Sequence, residues 1–544
     1  MYSDCNLTKL RIGSFLLRSV VLMTAGFGFA GLCTAQTVAA SSKPVAPIAS
    51  ETPKLVDEKA PLTDKERAEL LELIRSLQDR VTKLEAAEAS RSKDQTADAS
   101  RSGSPGDKTS ASAKPKSNSP IYDGDVPQPE TESGSDKSEP QDDKKWGSYT
   151  PNLGFKLVDT EHGDMSVSIY SYVRYLNQLG LDGSYVDFFG NEKSVQRRND
   201  IQLLKLQIKF LGWIVDPKLR YFLYAWTSNA NQGQGAQTVL AGNLQYSFNK
   251  HVTVGGGIRS LPGTRSVEGN FPFWPSVDSR MIADEFMRPS YTSGIWAMGN
   301  ITDRLEYITM LGNNLSTLGV PAVRIDNGLN TWSSSLVWYP TGDFKQGFSG
   351  QAWGDFEDHK KFSTRFGFHY SRSDENKESQ PTSETFENTQ IRLTDGTVIF
   401  TPDIFGEGVT VSDVRWQMSS FDAGFKYRGF SVEGEYFLRW LDNFRGENTA
   451  NIPSIFNHGY QIQGTAMLVP QKVQAYGGYS QLYGDQGNPW DFRAGINWFP
   501  FRNKVVRWNT EALYLHKSPV GYTSVPFAVG GKGWVFHSSF EVAF

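Results

Sequence analysis

The most constraining feature of this sequence is the spacing of the amphipathic segments that follow residue 146. Sixteen segments alternate apolar and polar residues with a period of two, as half-buried strands do. Tight turns follow most even-numbered segments, and longer polar connections follow most odd-numbered ones. This sorting is typical of a transmembrane barrel, which has short turns at one end and long loops at the other. A soluble sandwich has no reason to sort its connections in this way.

The spacing therefore predicts an all-β fold, a 16-stranded antiparallel transmembrane β-barrel over residues 146–544, with water filling its lumen. The connection 341–360, after the eighth strand, is too long for the rule. The predicted strands are residues 165–176, 200–211, 218–228, 238–248, 251–259, 293–301, 304–312, 330–340, 361–372, 414–427, 430–441, 458–468, 471–481, 489–499, 504–516 and 532–544.

The last predicted strand shows the alternation clearly and ends on a carboxy-terminal Phe. One face, interrupted by Ser538, carries Trp534, Phe536, Phe540, Val542 and Phe544. The other face carries His537, Ser539 and Glu541. The segment looks like the terminal strand of bacterial outer-membrane proteins, which typically end in Phe. A half-buried strand of a soluble sandwich is the alternative interpretation.

Residues 1–35 predict a signal peptide. A basic start precedes the apolar run 20–30, and Ala35, or Ala40 a little later, could precede the cut. The two cysteines, Cys5 and Cys33, lie in the part that we expect to be removed, so the mature chain would contain no thiol. Lipidation of Cys33 is an alternative, although the residues before it do not match the usual lipobox.

Residues 62–89 predict a helix with a coiled-coil seam. About three heptads are too few for a stable isolated coil, so we expect a partner helix or a tether. The residue types in the seam favour two strands, whereas residues 80–85 resemble a trimer-favouring pattern, and a single amphipathic helix on a surface is a third possibility. The seam residues are Leu70, Ile74, Leu77, Val81 and Leu84.

The segments on either side of this coil, residues 36–61 and 90–145, are predicted to be disordered. The second consists largely of Ser, Lys, Asp, Pro, Gly and Glu, and it cannot bury enough apolar surface to offset the entropy of ordering. Both ends of the predicted barrel lie at its short-turn end. We therefore expect the coil and linker at that end, in the periplasm.

Composition excludes several classes of function. With 55 basic and 59 acidic residues, the chain lacks the basic excess of a nucleic-acid-binding protein. None of the seven histidines lies in a recognisable nucleophile motif, and the sequence shows neither metal-ligand spacing nor a phosphate-cradling loop. We expect no catalytic residue, no cofactor and no metal, and the chain is not predicted to be an enzyme.

Alternation also assigns each predicted strand a lipid face and a lumen face. In the second strand, Leu204, Leu206, Ile208 and Phe210 are predicted to face outward. Basic residues outnumber acidic ones in the inward set, and rings of Arg and Lys favour anions. Charge pairs that simply brace the wall are the alternative. The predicted pore-lining residues are Arg174, Lys205, Lys209, Arg220, Arg259, Arg365, Arg439 and Arg493.

Residues 260–292 form the candidate constriction loop. Its charges of both signs could set a transverse field across the lumen. Its aromatics Phe271, Phe273, Trp274 and Phe286 are expected to pack the loop against the wall, with stacking on a sugar as the alternative. The charged residues of this candidate constriction are Arg265, Arg280, Arg288, Asp278, Asp284 and Glu285.

Several short motifs carry a resemblance to a known family. They are Gly354-Asp355-Phe356-Glu357 and the segments 369–373, 424–436, 459–464 and 469–472. On these motifs the barrel resembles the phosphate-selective porin O and P family. The resemblance implies sixteen-stranded trimeric porins with an inward-folded third loop and basic pore residues. The segment 257–265 departs from the family pattern, which places an acid close to the Pro, so the family's phosphate site is not assigned to residues here.

Together these features predict an outer-membrane porin of a Gram-negative bacterium, a homotrimer embedded in outer-membrane lipid. Its expected role is passive diffusion of small hydrophilic solutes, with a preference for anions such as phosphate. A carbohydrate-selective porin is one alternative. A structural anchor that ties the outer membrane to the cell wall through the coil is another.

Overall fold

The computed structural model describes residues 148–150, 154–227, 238–267, 274–318, 320, 322–325, 328–346, 352–381 and 390–544. The predicted signal peptide, the coiled coil and the linker lie outside these ranges. In the part of the chain that is described, no helix is long and apolar enough to cross a membrane.

Strands dominate the described residues, because the sequence alternates apolar and polar side chains over long stretches. They are β1 (Tyr149–Thr150), β2 (Gly154–Thr160), β3 (Gly163–Leu181), β4 (Ser184–Val186), β5 (Glu192–Ser194), β6 (Asn199–Ile214), β7 (Asp216–Thr227), β8 (Thr238–Asn249), β9 (Val252–Ser260), β10 (Tyr291–Thr302), β11 (Leu305–Gly312), β12 (Thr331–Trp338), β13 (Ser363–Asn376), β14 (Thr410–Tyr427), β15 (Phe430–Glu447), β16 (Ile455–Val469), β17 (Val473–Tyr483), β18 (Trp490–Trp498), β19 (Val506–His516) and β20 (Lys532–Ala543). The helical elements are α1 (Ile282–Met287) and the 3₁₀ turns Arg265–Val267, Ala322–Arg324 and Thr449–Asn451.

Sixteen of the described strands, β3 and β6–β20, form one closed barrel. Each pairs antiparallel with the next along the chain, and β20 returns to β3. In that last pairing Gly533 lies opposite Leu181 and Ala543 lies opposite Tyr170. The prediction of a 16-stranded antiparallel barrel is confirmed, and the predicted strands overlap the observed ones one for one.

The two ends of the barrel differ in the length of their connections. At the short-turn end β6 and β7 are joined through Val215 alone, and β14 and β15 through Arg428 and Gly429. Arg428 and Gly429 both have positive φ, 48° and 79°, as in the tight turns that match strand twist. At the long-loop end the connections include residues 261–290, 377–409 and 517–531.

Strands β1 and β2, which were not predicted, extend the wall at the short-turn end. β2 pairs with the beginning of β3, where Phe155 lies opposite Val167, and so follows β20 on the same partner strand. Phe544 and Ile169 exchange two backbone hydrogen bonds of 2.6 and 2.9 Å. The Phe544 ring lies 6.0 Å from that of Phe155. The carboxy-terminal residue is therefore held between β3 and β2.

The outer face of the barrel is apolar and exposed. Leu223, Phe368 and Ile496, on three different strands, are 50%, 40% and 44% exposed. Near the short-turn end the outward aromatics include Trp338, Trp498 and Trp508, and near the long-loop end they include Trp440, Trp490 and Trp534. An apolar belt between two aromatic girdles is the surface of a barrel that sits in lipid.

The predicted outward facing of Leu204 was wrong. Leu204 is only 2% exposed and packs inside the barrel with Tyr170 and Tyr172. The pairing of β3 with β6 shifts at this point, which leaves Leu204 as an extra residue. Such a bulge reverses the side to which the following residues point, and a strict period of two does not reveal it. Leu206 and Phe210 are exposed as predicted, and Ile208 is half-buried.

Leu223→Arg tests whether the outer face lies in lipid. It is expected to lower the free energy of unfolding by about 2–4 kcal/mol, the cost of an Arg near the bilayer midplane. Leu329→Arg is the matched control, because Leu329 is 53% exposed in a connection at the long-loop end; its effect is expected to stay within about 0.5 kcal/mol. Urea unfolding in lipid vesicles measures both, and equal losses would contradict the placement of β7.

Candidate functional site

The candidate site is built around the inner loop, defined as residues 261–290 between β9 and β10. Its described residues lie inside the barrel and are buried, apart from the half-buried Arg280. The loop crosses the lumen, because its backbone is hydrogen-bonded to β3, β18 and β19 on the other side. The described part of the candidate constriction loop, residues 260–292, thus lies across the barrel.

Two arginines of the wall hold the inner loop by its carbonyl oxygens. Arg174 Nη2 donates to Val277 O at 2.7 Å, and Arg493 Nη2 donates to Arg280 O at 2.6 Å. Charged donors make the stronger hydrogen bonds in proteins. Both arginines are almost fully buried, at 0% and 1% exposure. These two predicted pore-lining residues are therefore covered by the loop that they hold.

Arg507 on β19 fixes another part of the inner loop. Its Nε and Nη2 atoms bind Glu541 at 2.9 and 2.7 Å, and its Nη1 atom donates to Trp274 O at 2.6 Å. The Trp274 ring faces the guanidinium of Arg280, 3.9 Å from its centroid. Trp274 thus packs the loop against the wall, whereas Phe271 and Phe273 lie outside the described residues.

Lys205 and Asp278 form a buried ion pair between β6 and the inner loop. Lys205 Nζ lies 2.7 Å from Asp278 Oδ1, and Tyr172 donates to Asp278 Oδ2 at 2.8 Å. Burial alone would raise the pKa of Asp278, but Lys205 and the nearby Arg174 bring the pKa below its usual value. The Asp278 carboxylate thus stays charged and ties the loop to two strands.

Arg265 links the inner loop to β15. Its Nη2 atom lies 2.8 Å from Glu433 Oε2, and its backbone N–H donates to Glu435 Oε1 at 3.0 Å. The guanidinium also lies over the ring of Trp353, 5.0 Å from the centroid. Glu433 and Glu435 are buried on the inner face of β15, where they act as acceptors for the loop.

The remaining charges of the inner loop pair with one another around α1. Glu285 binds Arg288 and also accepts from Arg280 Nη1 at 3.4 Å, and Arg280 Nε lies 4.0 Å from Asp284. Burial raises the pKa of Asp284. Burial also acts to raise the pKa of Glu285, but Arg288 and Arg280 bring it below its usual value. The loop therefore holds its opposite charges side by side rather than across the lumen.

Arg365 is part of a charge cluster within the wall itself. Its Nε atom lies 2.7 Å from Asp422 Oδ1, and His369 Nε2 lies 2.8 Å from Asp422 Oδ2. All three side chains are at most 5% exposed and belong to the neighbouring strands β13 and β14. Such a paired cluster braces two strands, which is the alternative considered above for inward charges.

The other predicted pore-lining residues of β6–β9 have different surroundings. Arg259 is 4% exposed and lies over the ring of Trp296, 5.1 Å from the centroid. Lys209 is also 4% exposed. Arg220 is half-buried near the short-turn end, where its Nε atom lies 3.4 Å from Pro217 O. These residues share an inner wall but do not converge on one point.

A second segment that folds into the barrel was not predicted from the sequence. The short-end segment, residues 339–362 between β12 and β13, carries buried Phe344, Trp353 and Asp355. Lys426 Nζ donates to Ala352 O at 2.8 Å. Because Trp353 touches Arg265, segments from the two ends of the barrel meet inside it. The only signal in the sequence was the length of the connection 341–360.

Loops from the other end also fold inward. The long-end lid, defined as residues 390–409 and 517–531, packs apolar side chains such as Leu393, Ile399 and Phe527 against α1 and the inner wall. Arg439, a predicted pore-lining residue, donates through Nη2 to Arg392 O of this lid at 2.8 Å. Arg174 Nη1 donates to Ser524 O of the same lid at 2.8 Å.

The inner wall is partly apolar where the lid meets it. Trp416, Met418, Phe437, Leu513 and Leu515 all face inward, and none is more than 3% exposed. The expectation of a lumen filled by water is therefore not met on this side of the barrel, since these residues pack with the lid and α1. Where the outer face of a strand contacts lipid and its inner face contacts the lid, both faces carry apolar residues. The strand then loses part of its alternation of apolar and polar residues.

The described histidines and acids do not assemble a metal site. Among the residues that the structure describes, no group of three or more His, Cys, Asp or Glu side chains is placed to hold a metal ion. His537 pairs with Glu511 at 3.0 Å, and His369 pairs with Asp422.

Comparison with solved structures gives matches at low identity. No protein-family model matches the chain, and no curated protein matches it. The outer-membrane expressed OmpT of Vibrio cholerae is 10% identical with a TM-score of 0.44, over 71% of this chain and 99% of that one. An anion-selective porin from Comamonas acidovorans is 9% identical with a TM-score of 0.42, over 70% and 100%. OmpF of Salmonella typhi, in complex with daunomycin, is 12% identical with a TM-score of 0.43, over 72% and 100%.

Proposed function

We propose that this chain is an outer-membrane channel for the passive diffusion of small hydrophilic solutes, with a preference for anions. One observation carries the proposal: a closed barrel of sixteen strands has an apolar outer face and a charged inner face that holds a loop across the lumen. A soluble protein has no use for an exposed apolar belt of this size. The long-loop end faces the outside of the cell, and the predicted coiled coil lies in the periplasm.

The preference for anions is supported by Arg439, which has no carboxylate to neutralise it. Among the described residues, Arg439 donates to carbonyl and amide oxygens and forms no ion pair. In a narrow, low-dielectric passage such a cation raises the local concentration of anions. The resemblance to the phosphate-selective porin O and P family supports the same preference, and a homotrimer is proposed on that ground.

Planar-bilayer recording of the purified protein in a potassium chloride gradient tests this function. The reversal potential is expected to have the sign of chloride permeation. Replacing chloride with the larger gluconate at equal ionic strength is expected to lower the current. A reversal potential of the opposite sign would refute the anion preference while leaving the channel itself in place.

A carbohydrate channel is the second candidate, and one observation favours it. Phe222, Tyr224, Trp226 and Tyr291 form a run of inward aromatic rings with centroid distances of 5.1, 6.3 and 6.0 Å. Aromatic faces offer sugars an apolar surface on which to stack. Block of the chloride current by malto-oligosaccharides, but not by phosphate, would favour this candidate.

A structural anchor is the third candidate. Its supporting observation is the packing of the inner loop, the short-end segment and the long-end lid inside the barrel. Absence of any conductance, together with cell-wall binding by the full chain, would favour an anchor over a channel.

A further inference from the structure

A small cavity lies where β14 and β15 meet α1 and the long-end lid. Its volume is about 20 Å³, which is room for a water molecule or a single small ion. Its walls bring together three guanidinium groups, one carboxylate and several aromatic rings. The lining residues that matter here are Arg288, Arg392, Arg439, Glu285, Phe286 and Trp416.

Arg439 is the unusual member of this set. It is 1% exposed, and its Nη2 atom donates to Arg392 O at 2.8 Å and to Asn457 Oδ1 at 2.6 Å. Its Nε atom is buried and has no hydrogen-bond partner among the described residues. A guanidinium carries five N–H donors, so most of the capacity of Arg439 is unused.

The carboxylate of the cavity does not compensate this charge. Glu285 is already bound by Arg288, by Arg280 and by the hydroxyl of Tyr522. No carboxylate of the described residues lies within ion-pair distance of Arg439. The face of the Phe286 ring, 4.1 Å from the guanidinium, offers only a partial substitute. A buried charge without an opposite charge is unfavourable, so an exogenous anion would be favoured here.

The geometry points to a binding site for one small anion of the size of chloride, in this cavity beside the Arg439 guanidinium. The cavity is also lined by residues of the long-end lid, so a bound anion would lie between Arg439 and that lid. This inference rests on the proposed anion preference, because an anion-selective channel would bring the ligand to the cavity. Binding itself requires no conduction.

Thermal unfolding of the full-length, detergent-folded protein tests the site with chloride as the probe. Raising chloride at constant ionic strength, against gluconate, is expected to raise the Tm saturably by about 2–4 °C. Arg439→Gln is expected to abolish this shift, and Arg439→Lys to weaken it. Arg445→Gln is the matched control, because Arg445 is exposed on the same strand, and it is expected to keep the full shift. A shift unchanged in Arg439→Gln would overturn the site.

Crystals of the unaltered protein soaked in bromide decide the question even if the variants fold poorly. An anomalous peak in the cavity, within hydrogen-bond distance of the Arg439 guanidinium, is expected, and a water molecule there at high bromide would overturn the proposal. Failure of the channel function is separable from failure of this site. Anion-selective conduction without a chloride-dependent Tm would refute the binding site but not the channel. A chloride-dependent Tm without conduction would refute the channel but not the binding site.

Discussion

Arg493→Gln is expected to raise the single-channel conductance and to destabilise the barrel by about 3–5 kcal/mol, the cost of breaking a buried ion pair on one side. Arg493 lies between two buried carboxylates, 3.2 Å from Asp491 and 3.8 Å from Glu511. Its removal leaves both acids without this partner on the inner wall.

The effect on conductance follows from the other contacts of Arg493. Its Nη2 and Nη1 atoms donate to Arg280 O at 2.6 Å and Ser279 O at 3.4 Å, so the side chain holds the inner loop against β18. Glutamine is shorter and uncharged and cannot reach both carbonyls while facing Asp491. The loop then loses its contact with β18 at Ser279 and Arg280, which widens the passage beside these two residues.

Arg502→Gln is the matched control for this variant. Arg502 is exposed in the turn between β18 and β19, has a positive φ of 55°, and forms no ion pair among the described residues. The control is expected to leave both conductance and stability within experimental error. A variant Arg493→Gln that is destabilised but conducts like the unaltered protein would show that the inner loop does not limit the current.

Asp355→Ala is expected to release the short-end segment and to increase conductance from the opposite end. Asp355 Oδ2 accepts from the Gly429 N–H at 2.8 Å, and Asp355 Oδ1 accepts from the His359 N–H at 3.1 Å. Hydrogen bonds to a charged group contribute about 1.5–3 kcal/mol each. The alanine variant loses them and leaves the turn at Gly429 with an unpaired donor.

Asp358→Asn provides the control in the same segment, because Asp358 has a positive φ of 57° and Asn tolerates that backbone conformation. Among the described residues Asp358 forms an ion pair with the exposed Lys360, so loss of its charge is expected to change neither conductance nor stability. Equal conductance of the two variants would show that the short-end segment leaves the passage open. The double variant Asp355→Ala with Arg493→Gln is expected to conduct more than either single variant, because the short-end segment and the inner loop are held from different ends of the barrel.

The contribution of Asp355 also depends on pH, with a defined sign. Burial alone would raise the pKa of this carboxyl, but the hydrogen bonds from His359 and Gly429 bring it below its usual value. A carboxyl with a depressed pKa stabilises the folded state above the unfolded pKa of about 3.9, and this contribution disappears as the pH falls through the folded value. Opening of the short-end segment is therefore expected in acid, not in base.

The barrel could be predicted from the sequence because its signal is repeated. Each strand must present apolar residues to the outside at every second position, and this requirement recurs sixteen times with alternating loop lengths. Where a strand contains a bulge, as at Leu204, the repeat fails locally because one extra residue changes the facing. Strands β1 and β2 are short and carry too few residues to show a period.

The interior was much harder to predict. Alternation predicts that the side chains of Arg174 and Arg493 face inward. It does not reveal whether an inward arginine contacts water or a carbonyl oxygen. That distinction depends on how segments 100 residues or more away fold back, as with Val277 against Arg174. The short-end segment was visible only as a connection of unexpected length, since its buried Trp353 and Asp355 follow no period.

The confinement of Phe544 has a practical consequence for anyone who works with this protein. Its backbone is bonded to Ile169, and the next position along β3 is already taken by β2. An affinity tag appended after Phe544 would have to push β2 aside or bend sharply away from the wall. Purification handles and fluorescent labels are better inserted at an exposed position of the long-loop end, such as the part of the connection beside Leu329.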